Sequence, residues 1–189
     1  MARGNGSHGD GAPPGQVQVS TLRFVVGDPE MPPASDLLAE MRVELNDVYA
    51  TFSRLDNPPL RPDELREPDG AYVVGYEGDD VVAGGGLRRL GQGVAEIKRM
   101  FVRPPARSRG VARALLRALE DRARALGYTA VRLDTGPKQR HGLALYRSAG
   151  YVDVPPYNDN PFACFWGEKR LDPEDEGPAA TDRPGRRRA

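Results

Sequence analysis

Six consecutive residues, Arg107-Ser108-Arg109-Gly110-Val111-Ala112, have the make-up of an anion site. They lie between a run stopped by Pro104 and Pro105 and a run whose apolar residues recur at helical spacing. They should therefore form the first turn of a helix, where main-chain amides lack intrahelical acceptors. Such donors, together with the positive end of the helix dipole, hold phosphates, and a glycine lets a phosphate approach the main chain closely. Nearby arginines add charge for further phosphate oxygens. The segment lacks the Gly-Lys-Ser/Thr ending of a nucleoside-triphosphate loop and the Gly-x-Gly-x-x-Gly spacing of a dinucleotide fold. A pyrophosphate on another kind of ligand is indicated. By itself such a pattern more often marks only a tight helix start.

The elements that must position this turn follow from periodicity. Val17, Val19, Leu22, Phe24 and Val26 alternate as in a first strand. Leu37, Leu38, Met41, Leu45, Val48, Tyr49 and Phe52 then recur as on one face of a long helix, with Ser35 or Asp36 available as its cap. Ala71 to Tyr76, Val81 to Leu90 and Val94 to Val102 read as an antiparallel meander, turned at Gly78-Asp79-Asp80 and Gly91-Gln92-Gly93. A helix from near Arg109 carries Ala112, Leu115, Leu116, Leu119, Ala123 and Leu126 on one face and closes at Gly127. Val131, Leu133 and Thr135 give another strand, followed by a helix from about Lys138 to Ala149 and by strands at Tyr151 to Val154 and Phe162 to Leu171. This order predicts an α/β (α+β) domain. Its mixed, mostly antiparallel central sheet has about seven strands flanked by helices, with a ligand where strand pairing is interrupted.

Composition bounds the rest. The chain has 189 residues, 39% of them hydrophobic, enough for one core, expected over 17–171. The glycine-rich stretch 1–16 is expected to be a disordered leader and 172–189 a disordered charged tail. Lysine plus arginine and aspartate plus glutamate number 27 each, so overall charge gives no reason to expect nucleic-acid binding. No run is long and apolar enough for a membrane span. Cys164 is the single cysteine, which argues against a disulfide framework or a cysteine-rich metal site and for a reducing, cytoplasmic setting. Charge is nonetheless uneven: nine basic residues against two acidic ones lie between Lys98 and Arg124, a local excess of seven.

The block Glu96-Ile97-Lys98-Arg99-Met100-Phe101-Val102-Arg103-Pro104, the turn Arg107 to Ala112, and the block Ala144-Leu145-Tyr146-Arg147-Ser148-Ala149-Gly150-Tyr151 together resemble the Gcn5-related N-acetyltransferase superfamily. The likeness spans roughly 17–171, with Ala112 standing where many members have glycine. It implies acetyl-CoA as acyl donor and no metal. The main chain of Met100, Phe101 and Val102 would pair with the pantetheine arm, and the amides of Arg107, Ser108, Arg109, Gly110, Val111 and Ala112 would hold the pyrophosphate. The basic excess could serve the remaining phosphate, although Arg113, Arg117 and Arg124 also suit a solvated helix face. Tyr146 resembles the tyrosine that donates a proton near the sulfur and touches the cofactor; its alternative is packing beside Leu145 and Ala149. Glu96 precedes Met100 by four residues, as does the general-base glutamate of the histone-acetylating branch. Strand alternation would place it on one face with Lys98, Met100 and Val102, and a salt bridge to Lys98 or a neighbouring strand is its alternative.

Other residues carry weaker signals. His141 is expected to be solvated, Cys164 to be a small buried filler, and Gly84-Gly85-Gly86 to mark a bulge or a close approach by another backbone or ligand. The connection 54–70 and the loop Pro155 to Pro161, with Tyr157, Asn158, Asp159 and Asn160, are candidates for the acceptor site. The expected activity is acetyl transfer to a primary amine of a small molecule such as an amino acid, polyamine or amino-bearing metabolite, with room for a homodimer. Acetylation of protein lysines or N-termini, and a non-catalytic acyl-CoA sensor, are the alternatives.

Overall fold

A computed structural model describes residues 21–49 and 60–171. The expected leader and tail, Val17, Val19, Phe52 and the first part of the 54–70 connection lie outside the described residues. The elements are β1 (Leu22–Gly27), α1 (Ala34–Tyr49), a 3-10 turn (Pro62–Leu65), β2 (Ala71–Glu77), β3 (Asp80–Gly91) and β4 (Val94–Val102). After a second 3-10 turn (Pro104–Ala106) come α2 (Val111–Ala125), β5 (Ala130–Thr135), α3 (Arg140–Ser148), β6 (Val152–Asp153) and β7 (Phe165–Arg170). The seven strands form one sheet in the order β1-β2-β3-β4-β5-β7-β6. Among the described residues, only β4 and β5 pair in parallel. The mixed, mostly antiparallel sheet predicted from periodicity is therefore present.

The leucine stripe of α2 does what its spacing requires. Leu115, Leu116, Leu119 and Ala123 are buried against Ala95, Ile97, Val131 and Leu133 on one face of the sheet, and Leu143, Leu145 and Tyr146 of α3 pack on the same side. On the opposite face, Leu37 and Met41 of α1 bury against Tyr72, Val74 and Phe101. The triple glycine explains how both layers come so close. A Cβ on Gly84 would lie 2.6 Å from the Tyr72 hydroxyl and 2.9 Å from Leu37, and one on Gly85 would lie 2.8 Å from Leu119. The close approach is made by side chains of the covering helices and of β2, and a bulge lies opposite, in β4.

Three boundaries differ from the sequence reading. Helix α1 begins at Ala34, so Ser35 and Asp36 sit in its first turn and not at its cap. Helix α3 begins at Arg140, because the Gln139 side chain accepts hydrogen bonds from the Gly136 amide and the Thr135 hydroxyl and holds residues 136–139 in a turn. The last strand begins at Phe165, because Asn160 turns the chain by accepting from the amides of Phe162 and Ala163. Cys164 lies in that turned segment and is exposed, so it is not the buried filler that alternation implied.

Candidate active site

The turn after β4 is built as its residue types require. Ala106 and Arg107 donate their amides back to Arg103 and Pro104, and the first helical bonds run from Arg113 and Ala114 to the Gly110 carbonyl, each 3.1 Å. The amides of residues 108–112 thus donate to no backbone acceptor within the described residues. Ser108 and Gly110 have φ of 61° and 81°, which folds the chain so that consecutive amides converge, and nothing lies within 4 Å of a Cβ built on Gly110. Open, unpaired donors at a helix start fit a pyrophosphate.

The basic excess around this turn is largely committed to carboxylates. Arg103 binds Glu40 of α1 through two nitrogens at 2.9 and 2.6 Å, Arg107 binds Glu44 one helical turn on at 2.6 Å, and Arg109 binds Glu77. Arg122 pairs with Glu67, Arg124 with Asp121, and Arg113 donates to the Ser148 hydroxyl. Three of these arginines, Arg103, Arg107 and Arg109, therefore tie the turn and its approach to α1 and the sheet.

The parallel pairing of β4 with β5 stops after Glu96 and Arg132, although both strands continue. In β4 the register against β3 breaks between Lys98, opposite Gly86, and Phe101, opposite Gly84. Arg99 occupies the left-handed region at φ 57°, so Arg99 and Met100 together oppose Gly85 as a bulge. Two consequences follow. Among the described residues, the β4 edge from Lys98 to Val102 has no strand partner on its β5 side. The face alternation also shifts by one, which corrects the expectation that Glu96, Lys98, Met100 and Val102 share a face. Phe101 joins the α1 layer, while Met100 and Val102 join the α2 layer.

A cavity of about 180 Å³ opens in this wedge. Its β4 and β5 walls include Lys98, Met100, Phe101 and Asp134, α3 contributes Tyr146, and the β6–β7 loop contributes Asn158, Asn160 and Phe162. Tyr49 of α1 and Leu60 close the other side. Tyr146 meets Met100, its hydroxyl donating to the thioether sulfur at 3.8 Å, and its ring stands edge-on to Tyr151 at 5.9 Å. Burial, then the Asp134 carboxylate, pushes the Tyr146 phenol up to about 12, so the hydroxyl keeps its proton at neutral pH.

Glu96 is 0% exposed and lies beneath the cavity wall. It accepts from Arg88 Nε at 2.7 Å and Asn158 Nδ2 at 3.2 Å, and Lys98 Nζ stands 3.1 Å away. Both salt-bridge partners named as its alternative are thus present. Asp134 lines the cavity and accepts from Lys98 at 2.8 Å, Asn158 at 2.6 Å and Asn160 at 3.0 Å. Burial opposes its ionisation, but Lys98 and the three hydrogen bonds outweigh burial and hold the carboxyl below its ordinary value. Burial and the neighbouring Glu96 and Asp134 charges push the Tyr157 phenol upward, and its hydroxyl is buried without a hydrogen bond of normal geometry.

The sequence model of the Acetyltransferase (GNAT) family matches residues 38–151. The chain belongs to this acetyltransferase family. An IAA acetyltransferase of Azospirillum brasilense is 37% identical over 133 residues, covering 68% of this chain and 85% of that protein. Among solved structures, an aminoglycoside 6'-N-acetyltransferase complexed with coenzyme A superposes with a TM-score of 0.60 at 18% identity, covering 80% of this chain and 98% of that one. The Salmonella typhimurium protein yncA, solved with acetyl-CoA, gives a TM-score of 0.57 at 17% identity, covering 85% and 99%. At such identities the structures speak for the fold.

In this GNAT enzyme Tyr146 and the anticipated loop residues Asn158 and Asn160 line the cavity, and the anticipated turn follows β4 at the start of α2. Asp134, Arg88, Tyr49 and Phe162 were not anticipated. Asp134 and Arg132 are the polar half of the alternation whose apolar half, Val131 and Leu133, marked β5, so the signal was present but unread. His141 is exposed, as expected. Among the described residues no cluster of three His, Cys, Asp or Glu side chains could hold a metal ion, and no helix is long and apolar enough to cross a membrane.

Proposed function

We propose that the chain transfers an acetyl group from acetyl-CoA to a primary amine of a small molecule by direct transfer. One observation carries the reading: the β4 edge from Lys98 to Val102, unpaired among the described residues, borders the cavity holding Tyr146 and Asp134 and is followed by the turn whose amides 108–112 donate to no described backbone acceptor. The main chain of Met100 to Val102 suits an extended arm laid along it as an added strand, and the turn suits a pyrophosphate. The thioester supplies an activated acyl carbon when bound.

Tyr146 donates a hydrogen bond to the departing sulfur. Glu96 acts through others: by fixing Lys98, Arg88 and Asn158 it sets the polar floor of the cavity. Neither carboxylate is placed as a strong proton acceptor, since Glu96 is covered and Lys98 with two asparagine amides holds the Asp134 carboxyl below its ordinary value. The acceptor ammonium therefore loses its proton to solvent before attack. Amine-dependent release of free thiol from acetyl-CoA tests the reading. Acetyl-CoA binding without acceleration by any amine, or acceleration only by peptides, rejects it.

A further inference from the structure

The cavity beside the β4 edge has a charged floor and an apolar wall, and the two select different parts of a ligand. The floor is a row of five charges. Arg88 stands 3.0 Å from Glu64 and 2.7 Å from Glu96, and Lys98 stands 3.1 Å from Glu96 and 2.8 Å from Asp134. Among these five, each cation is shared between two anions and one negative charge is in excess; at the exposed end Glu64 also meets Arg61 at 4.0 Å, which Asp63 at 3.3 Å balances. The other charged groups around the cavity are also committed: Glu44 to Arg107, and Arg99 to an interaction of its own. A carboxylate arriving with the ligand would add to this excess and would have to displace an existing partner from Lys98 or Arg88. A single ammonium balances it.

The wall opposite is made by Met41, Leu45 and Tyr49 of α1, with Leu60, Phe101 and Phe162. The Tyr49 and Phe162 rings meet at 4.9 Å between centroids, inclined by 53°. At about 180 Å³ the cavity is comparable to an engineered apolar cavity of about 150 Å³ that takes benzene. A second ammonium, as on a polyamine, would be set against this apolar surface, with Glu44 already bound to Arg107.

We infer that the acceptor is a primary monoamine with an apolar, ring-sized body and no carboxylate, its nitrogen toward Asp134 and its body against Phe162 and Tyr49. This rests on the transferase reading above. In the transfer, the ammonium first gives one proton to solvent. The amine nitrogen then bonds to the acyl carbon as the carbon–sulfur bond breaks, and a second nitrogen proton leaves to end on the released thiol.

The test uses the full chain, saturating acetyl-CoA and initial rates of thiol release with 2-phenylethylamine, phenylalanine, spermidine and a short peptide with a free N-terminus. The expected result is a kcat/KM for 2-phenylethylamine at least about 100-fold above each of the other three. In addition, Phe162→Ala should raise the KM for 2-phenylethylamine by about tenfold while leaving the KM for acetyl-CoA within about twofold. Phenylalanine, spermidine or the peptide matching 2-phenylethylamine overturns the inference, as does an unchanged KM in the variant. Acetylation of phenylalanine or spermidine alone leaves the transferase reading standing. Silence with all four sinks both.

Discussion

The Tyr146 hydroxyl, held at about 12, cannot pass its proton fully to an ordinary thiolate near 8.5 without an uphill step of roughly 5 kcal/mol. Its contribution is a hydrogen bond that strengthens as charge develops on sulfur. Phenylalanine at this position keeps the ring against Met100 and Tyr151 and removes only that bond. We expect Tyr146→Phe to lower kcat by about 10²-fold with an unchanged affinity for acetyl-CoA; a kcat at the wild-type level would make Tyr146 a packing residue. Glu96 requires the opposite signature. Glu96→Gln leaves the half-buried Arg88 and Lys98 with one anion fewer, so the melting temperature should fall, by about 3 kcal/mol of stability, and the KM for the amine should rise. A large loss of kcat with normal KM and stability would instead identify Glu96 as the base.

Between residues and the whole stands the strand–turn–helix unit from β4 to α2. Gly110 faces open space at φ 81°, so a glutamate there puts a carboxylate among the free amides. Gly110→Glu should weaken coenzyme A binding by an order of magnitude or more, whereas Gly110→Ala, which shares the backbone strain of about 1 kcal/mol, should weaken it much less. Equal affinities in the two variants would place the pyrophosphate elsewhere. On β3, Gly84→Ala drives a methyl into Tyr72 and Leu37 and should cost about 1–3 kcal/mol in thermal unfolding, with no loss meaning that α1 can lift away. The leucine stripe of α2 was legible because burial on one helix face imposes its period on the sequence. The bulge at Arg99 was not. A left-handed arginine carries no compositional mark, and its effect, turning Met100 and Val102 to the other face, depends on the register with β3.

At the scale of the molecule, the site is held by contacts between segments far apart in sequence, such as Glu40 with Arg103 and Lys98 with Asp134, which no local pattern announces. The charge count between Lys98 and Arg124 is legible in the sequence, whereas the anions that α1 and the sheet bring to Arg103, Arg107 and Arg109 are not. Asp134 is where three elements meet: Lys98 of β4 and Asn158 and Asn160 of the β6–β7 loop all donate to it, and Asn158 in turn accepts from the Trp166 indole at 2.9 Å. Asp134 is held below its ordinary 3.8, so the unfolded chain binds its proton more readily. The stability it contributes is full above about pH 4 and is lost as pH falls through the lower folded value. Asparagine offers one acceptor and turns an amide toward a donor, so Asp134→Asn should release the loop already at pH 7, at a cost of about 1–3 kcal/mol. Trp166 is the single tryptophan and reports directly. Its emission should shift in the wild type only in acid, below about pH 4, and in the variant should be shifted at neutral pH and change little on acidification, with secondary structure by circular dichroism retained. Wild-type emission and a wild-type acid limb in Asp134→Asn would show that the loop is anchored without this carboxylate.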